Sequence, residues 1–223
     1  MKILAVETST EYCSVALWQD GTVSEYSELV GQKHSEVLIA MTDKLLKDCG
    51  VTIAQIGGIA FGKGPGSFTG VRIACGVAQG LALGTNLSVV GVCTLQALAH
   101  ASGQNKVIAA LDARMGEIYL AAYEKIAGAW RAAIEPCLCK IESAQMLAGD
   151  DWFGAGSGFA VSDAALSGRY ATQLSGVDAL LVPQASAIAQ LAAIEFAKGN
   201  EVDAALALPL YLRDKVALKT SER

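Results

Sequence analysis

The chain has 223 residues, of which 52% are hydrophobic and 17% charged, with a formal net charge of −5. That length suits one large domain or two lobes, and that composition excludes a disordered chain. An acidic balance without an Arg- or Lys-rich run excludes tight nucleic-acid binding by this chain alone, because phosphate neutralisation dominates such affinity.

Residues 2–7 (KILAVE) read as a buried strand and 12–18 as a second. Asp20-Gly21 is a hairpin signal leading into 22–28, so the three segments form an antiparallel meander. From Ser35 the apolar residues Val37, Leu38, Met41 and Leu45 recur at helical spacing, with Glu36, Asp43, Lys44 and Lys47 facing away. Ser35 can cap this helix, and Gly50 can take the left-handed position that ends it. A strand at 58–62 leads into a turn built from Gly64, Pro65, Gly66, Ser67 and Gly70. A helix follows over 68–83, then a strand at 88–92 and a helix at 94–102. Gln79, Thr85, Asn86 and Ser88 interrupt the apolar stretch 73–92, so it reads as helix plus strand and not as a membrane span.

The pattern restarts at Val107. Residues 107–112 form a buried strand ending in a carboxylate, as 2–7 do. Residues 117–124, a turn at Ala127-Gly128 and 130–139 repeat the meander. An offset of about one hundred residues marks an internal duplication. It divides the chain into an N-terminal lobe, 1–104, and a C-terminal lobe, 105–223. The second lobe is less regular: a short strand at 151–155, a loop over 167–176, a helix at 185–198 closed by Gly199, and an extended tail from 209 to 212. Residues 219–223 read as disordered. The fold class is α/β: two βββαβα-type lobes, the second degenerate, in the actin-like (ribonuclease H-like) arrangement.

The glycine turn tempts two motif readings, and both fail. A phosphate-binding P-loop needs a hydroxyl where Gly64 stands, and a dinucleotide fingerprint begun at Gly64 needs glycine where Thr69 stands. An actin-like nucleotide site needs carboxylates and a glycine-rich phosphate turn. Glu7 and Asp112 are the carboxylate candidates, with Thr8 beside the first, but Thr8-Ser9-Thr10 offers no glycine to a phosphate. A vestigial, weak nucleotide site is what these residues allow. His34 and His100 lack a third ligand motif, and no nucleophilic triad can be assigned. Six cysteines lie mostly in apolar runs, which suits a reduced, cytoplasmic protein. Cys137-Leu-Cys139 suits one face of a strand and has no nearby histidine or further cysteine to complete a metal site. Arg72 near a helix N-terminus opposes the dipole, so a carboxylate or a partner should pair with it. Gly76, Gly80 and Gly84 share one helix face. Each costs about 1 kcal/mol against alanine, so something should pack closely there, a partner subunit being favoured.

Five stretches closely resemble the bacterial TsaB (YeaZ) family: ILAVETSTEYCSVAL, HSEVL at His34, GKGPGSFTGVRIACGVAQGLA from Gly62, LDARMGEIY from Leu111, and PLYLRDKVALK near the end. The resemblance spans nearly the whole chain. It implies a role in making threonylcarbamoyladenosine beside the tRNA anticodon. It also implies kinship with TsaD, whose H-x-x-x-H metal motif falls on Thr94 and Leu98 here, neither of which replaces imidazole. The expected role is therefore a non-catalytic subunit that binds a TsaD-like protein as a heterodimer, with a TsaE-like ATPase joining. Homodimers are expected in isolation, contact with tRNA only through the complex, and no membrane. The expected partner surface comprises Val37, Leu38, Met41, Leu45, Arg72, Ile73, Gly76 and Gly80. An actin-like ATPase or kinase and a glycoprotease-like peptidase are the alternatives.

Overall fold

A computed structural model describes residues 1–213. The first sheet contains β1 (Lys2–Glu7), β2 (Tyr12–Gln19), β3 (Thr22–Leu29), β4 (Gly58–Gly64) and β5 (Val89–Cys93), in the order β3-β2-β1-β4-β5. The second contains β6 (Lys106–Asp112), β7 (Glu117–Ile126), β8 (Ala129–Lys140), β9 (Trp152–Ala155) and β10 (Leu174–Asp178), in the order β10-β9-β6-β7-β8. Adding five to each strand number turns one order into the other. In both sheets the first three strands are antiparallel and the last two run parallel to the first. The duplication is therefore one of topology, and the fold is the actin-like α/β pair of lobes.

Both faces of the first sheet are buried. Leu4 and Val6 face α1 (His34–Asp48) and α2 (Phe68–Thr85), which contribute Leu38, Leu45, Ala74, Cys75 and Ala78. Ile3 and Ala5 point the other way, onto α5 (Ala185–Ala197) through Ala185, Ile188 and Ala192. This period-two division of KILAVE explains why the whole segment is apolar. Between the sheets lies α3 (Thr94–Ala101). Its Leu95, Leu98 and Ala99 pack on Val107, Ala109 and Leu111 of β6. Thus the helix that follows the last strand of each half covers the sheet of the other half. The second half of the chain, 105–223, contributes α5 to the first sheet, an exchange that linear division of the duplication does not foresee.

Two local expectations are corrected. Helix α1 begins at His34 with Lys33 as its N-cap and no side-chain capping bond, so Ser35 lies within the first turn. The stretch expected to be loop over 167–176 holds the end of α4 (Ala165–Arg169) and the start of β10, which pairs with β9. Gly168 and Gly176 break the apolar period that would have announced both elements. In the second lobe a single helical turn, Ile141–Ser143, occupies the place of α1, and another turn, Ser157–Phe159, with the five-residue α4 occupies that of α2. Gly50 does adopt the left-handed conformation, at φ +64°. The tail expectation for 219–223 lies outside the described residues.

Candidate interaction surface and interlobe cleft

Gly62, Gly66 and Gly70, in and beside the β4–α2 loop, each accommodate one residue of the segment 7–9. A methyl group on Gly62 would sit 1.6 Å from Glu7 Oε2. On Gly66 it would sit 2.6 Å from Ser9, and on Gly70 1.9 Å from the Thr8 carbonyl oxygen. Thr8 Oγ1 donates to the Gly70 carbonyl at 2.7 Å, and Ser67 N donates to the Ser9 carbonyl at 2.7 Å. Ser67 then caps α2, its hydroxyl accepting from Gly70 N at 3.3 Å. Gly64 takes φ +102°, which only glycine adopts readily, and leads into Pro65. On the other side of the turn His34 Nε2 lies 2.8 Å from the Thr10 carbonyl and 3.2 Å from that of Tyr12, so this nitrogen carries the proton. The distinctive loop is thus a socket for the turn after β1.

This socket decides the fate of the two candidate carboxylates. Glu7 is 1% exposed and Thr8 fully buried, and neither reaches the cleft between the lobes. Ser9 N donates to Glu7 Oε1 and Tyr12 N to Thr10 Oγ1, so these backbone donors are spent inside the turn. Glu7 Oε2 has no hydrogen-bond partner, and burial pushes the carboxyl up to about 7 despite the bonds from Ser9 and Thr8. Asp112, by contrast, lines the cleft, a space of about 760 Å³ bounded also by Ser9, Ser67, Phe68, Arg114, Ser157, Tyr211 and Arg213. Both its oxygens are engaged locally: Oδ1 accepts from Arg114 N at 2.7 Å, and Oδ2 pairs with the Arg114 guanidinium at 3.0 Å. The expected opposition of Glu7 and Asp112 across a common site is not formed.

The segment from Leu210 to Arg213 closes one wall of the cleft. Leu210 N donates to the Lys63 carbonyl at 2.6 Å, and Arg213 donates to Glu117 at 2.6 Å and to the Ala113 carbonyl at 3.1 Å. Among the described residues Arg72 finds aromatic rings and not a carboxylate. Its guanidinium lies 3.2 Å from the Phe68 ring centre and 4.7 Å from that of Tyr211, and donates to the Phe68 carbonyl at 3.0 Å. Cation–π attraction and that carbonyl offset the unfavourable helix dipole. Tyr211, remote in sequence, gave no signal of this.

The expected partner residues divide into two groups. Leu38 and Leu45 are 0% and 2% exposed and belong to the first lobe's core, so they cannot contact a partner. Helical spacing identifies a stripe but not what covers it. Val37, Met41 and Ile73 lie half-buried at the rim of that core. Gly76, Gly80 and Gly84 have nothing within 4 Å of the position a Cβ would take, so no element among the described residues fills their face. Exposed Ile39 (54%) on α1 and Leu83 (67%) on α2 add apolar surface. Sequence reading missed both, since Ile39 lies beside the stripe and Leu83 near a helix end.

A family model described as TsaD, tRNA N6-adenosine threonylcarbamoyltransferase, matches residues 24–220. The tRNA threonylcarbamoyladenosine biosynthesis protein TsaB of Escherichia coli (strain K12) is 40% identical over 230 residues, covering 98% of this chain and 97% of that protein. This chain belongs to the TsaB (YeaZ) family. TsaB of Haemophilus influenzae is 37% identical, with 98% and 96% covered. The solved structure of YeaZ from Pseudomonas aeruginosa is 38% identical and superimposes with a TM-score of 0.85, covering 95% of this chain and 99% of that one. A second Pseudomonas aeruginosa structure, described as an uncharacterized protein with similarity to peptidase YEAZ, gives a TM-score of 0.88 at 39% identity, with 95% and 99% covered. In this TsaB-family chain Thr94 and Leu98 are fully buried, Leu98 in the core shared by α3 and the second sheet.

Proposed function

We propose that this chain is a non-catalytic scaffold and activating subunit in tRNA threonylcarbamoyladenosine biosynthesis. It acts with a TsaD-like transferase and a TsaE-like ATPase, and meets tRNA only through that assembly. The observation that carries this reading is the open face of Gly76 and Gly80, continuous with exposed Leu83. Glycines inside a helix cost stability, and close approach by another backbone is the reason that offsets the cost. The same face serves a homodimer when the transferase is absent. The turn after β1 supports the non-catalytic part, since the Ser9 and Tyr12 backbone donors are consumed internally and its carboxylate is sealed beneath Gly62. Among the described residues no helix is long and apolar enough to cross a membrane; we place the assembly in the cytoplasm as part of the same proposal.

The test is capture of the TsaD-like subunit, followed by threonylcarbamoylation of tRNA with and without this chain. Gly80→Leu should fold normally and lose both capture and homodimerisation. A folded Gly80→Leu chain that binds normally overturns the interface, and tRNA modification by this chain alone overturns the scaffold reading. A weak nucleotide site is the second reading, favoured by the position of Asp112 on the cleft wall. Micromolar Mg-ATP binding by calorimetry, lost in Asp112→Ala, would establish it. A peptidase reading gains no support, because the Ser67 hydroxyl is spent as a helix cap.

A further inference from the structure

The segment 202–210 runs antiparallel to α2 along one flank. Val202 exchanges both backbone hydrogen bonds with Val89, just beyond the C-terminal end of α2, at 2.8 and 2.9 Å. The Ala207 carbonyl accepts from Gln79 Nε2 at 2.9 Å and from Cys75 Sγ at 3.4 Å, one helical turn apart. Leu210 N then reaches the Lys63 carbonyl, ahead of the N-terminal end of α2. The segment is thus fixed at both ends and in the middle. It buries its small residues, Ala204 and Ala207, and turns Leu206 and Leu208 outward, 68% and 70% exposed. Burial of apolar area favours the opposite choice in an isolated chain. Cys75 and Gln79 each precede Gly76 and Gly80 by about 100° of helix turn, so the leucine ridge borders the open face of α2. An exposed apolar patch of this kind marks an interaction site.

Charges on this surface are few and polarised. Over 68–85 only Arg72 is charged, near the helix start, and over 201–211 only Glu201 and Asp203, near the helix end. The helical rise from Arg72 to Leu83 separates the two ends by roughly 17 Å. A surface with a cation at one end and carboxylates at the other is complementary to itself turned end for end. A two-fold axis across the middle of α2 sets two such helices antiparallel, and carries the Arg72 end of each copy to the carboxylate end of the other.

We propose that a second copy of this chain occupies this surface in that two-fold arrangement. Arg72 of each copy faces Glu201 and Asp203 of the other, and Leu206 and Leu208 meet their counterparts across the axis. The inference rests on the reading of α2 as the interaction face, and adds to it the flanking segment, the register and the charges that set the register.

Sedimentation equilibrium of the whole chain at low ionic strength tests this. Arg72→Glu and, separately, Glu201→Arg/Asp203→Asn should each weaken self-association about 10-fold or more, because like charges then face each other. Asparagine preserves the side-chain cap that Asp203 gives to Ala205 N. All three changes together restore opposite charges and should bring the dimer back to within about threefold of native. A merely structural role for Arg72 gives no such rescue. Leu206→Ser/Leu208→Ser should weaken the dimer at least about 10-fold with an unaltered thermal transition. The proposal is overturned if the native chain stays monomeric at micromolar concentration, if the combined charge exchange fails to rescue, or if the leucine variant dimerises as the native chain does. Should it fail while Gly80→Leu still loses capture of the TsaD-like subunit, only this dimer falls and the scaffold reading stands. Ridge and charge variants that dimerise normally but lose that capture also overturn it, and make the TsaD-like subunit the occupant instead.

Discussion

Glu7 is held in the folded chain with a carboxyl at about 7, against an ordinary value of 4.5, because burial disfavours its charge. Between those values the folded state binds the extra proton. The Glu7 contribution to stability is therefore full below about pH 4.5 and falls as pH rises to about 7, by roughly 3 kcal/mol at 1.36 kcal/mol per pH unit. Glu7→Gln cannot ionise and lacks this contribution, so its stability relative to the native chain should grow by roughly 3 kcal/mol between pH 4.5 and 8. Urea midpoints of both proteins over that range check this, and a difference between them that does not change with pH would refute it. The glycines supply a second contrast. Gly70→Ala forces a methyl group onto the Thr8 backbone and should cost more than about 2 kcal/mol. Gly76→Ala and Gly80→Ala meet empty space and should each stabilise the isolated chain by about 0.5–1 kcal/mol. Equal effects at the two kinds of site would remove the distinction between socket and open face.

Helix α2 shows both uses of glycine in one element: close packing at its first turn and an uncovered stripe along its body. Helix α3 carries a different device at its end. His100 Nδ1 accepts from Trp130 Nε1 on β8 at 3.1 Å, and its Nε2 donates to Gln190 Oε1 on α5 at 2.9 Å. Since an indole N–H only donates, this arrangement requires neutral imidazole. Burial and, more weakly, the Lys125 charge hold His100 below its ordinary 6.5, against the opposing bond from Gln190. The unfolded chain thus takes up a proton first as pH falls, and this contribution to stability declines from about pH 6.5 downward. His100→Gln should remove that part of the acid limb. Its unfolding midpoint between pH 7 and 5, compared with native, is the measurement, and an unchanged slope would count against the role.

At the scale of the molecule, the exchange of α3 and α5 makes each lobe depend on the other. Residues 1–104 expressed alone would expose Ile3, Ala5, Ala16 and Ala60, which α5 covers. At about 25 cal/mol per Å² of apolar surface, losing that cover removes several kcal/mol from a domain whose net stability is only about 5–15 kcal/mol. The fragment should not fold cooperatively, and the whole chain should unfold in one transition. Calorimetry of the two proteins checks both statements, and a cooperative transition from 1–104 would show that the lobes are independent. The tail from Leu210 to Arg213 ties the α2 entry to the β6–β7 turn. Arg213→Ala, which leaves Glu117 without its partner, should loosen that tie and cost about 1–3 kcal/mol.

The sequence by itself determined the strands, the long helices and the duplication, because apolar alternation and helical spacing are local and period-bound. It also identified the family, through stretches such as GKGPGSFTGVR. It could not reveal α4 and β10, whose glycines erase the period, or the α5 exchange, which no local pattern encodes. Only the tertiary structure decided which apolar residues of α1 face inward, why Glu7 is sealed away from Asp112, and which glycines fill and which stay open. The reason is physical: a residue's propensity acts within its own turn or strand, whereas burial and charge state depend on neighbours that folding brings from elsewhere in the chain.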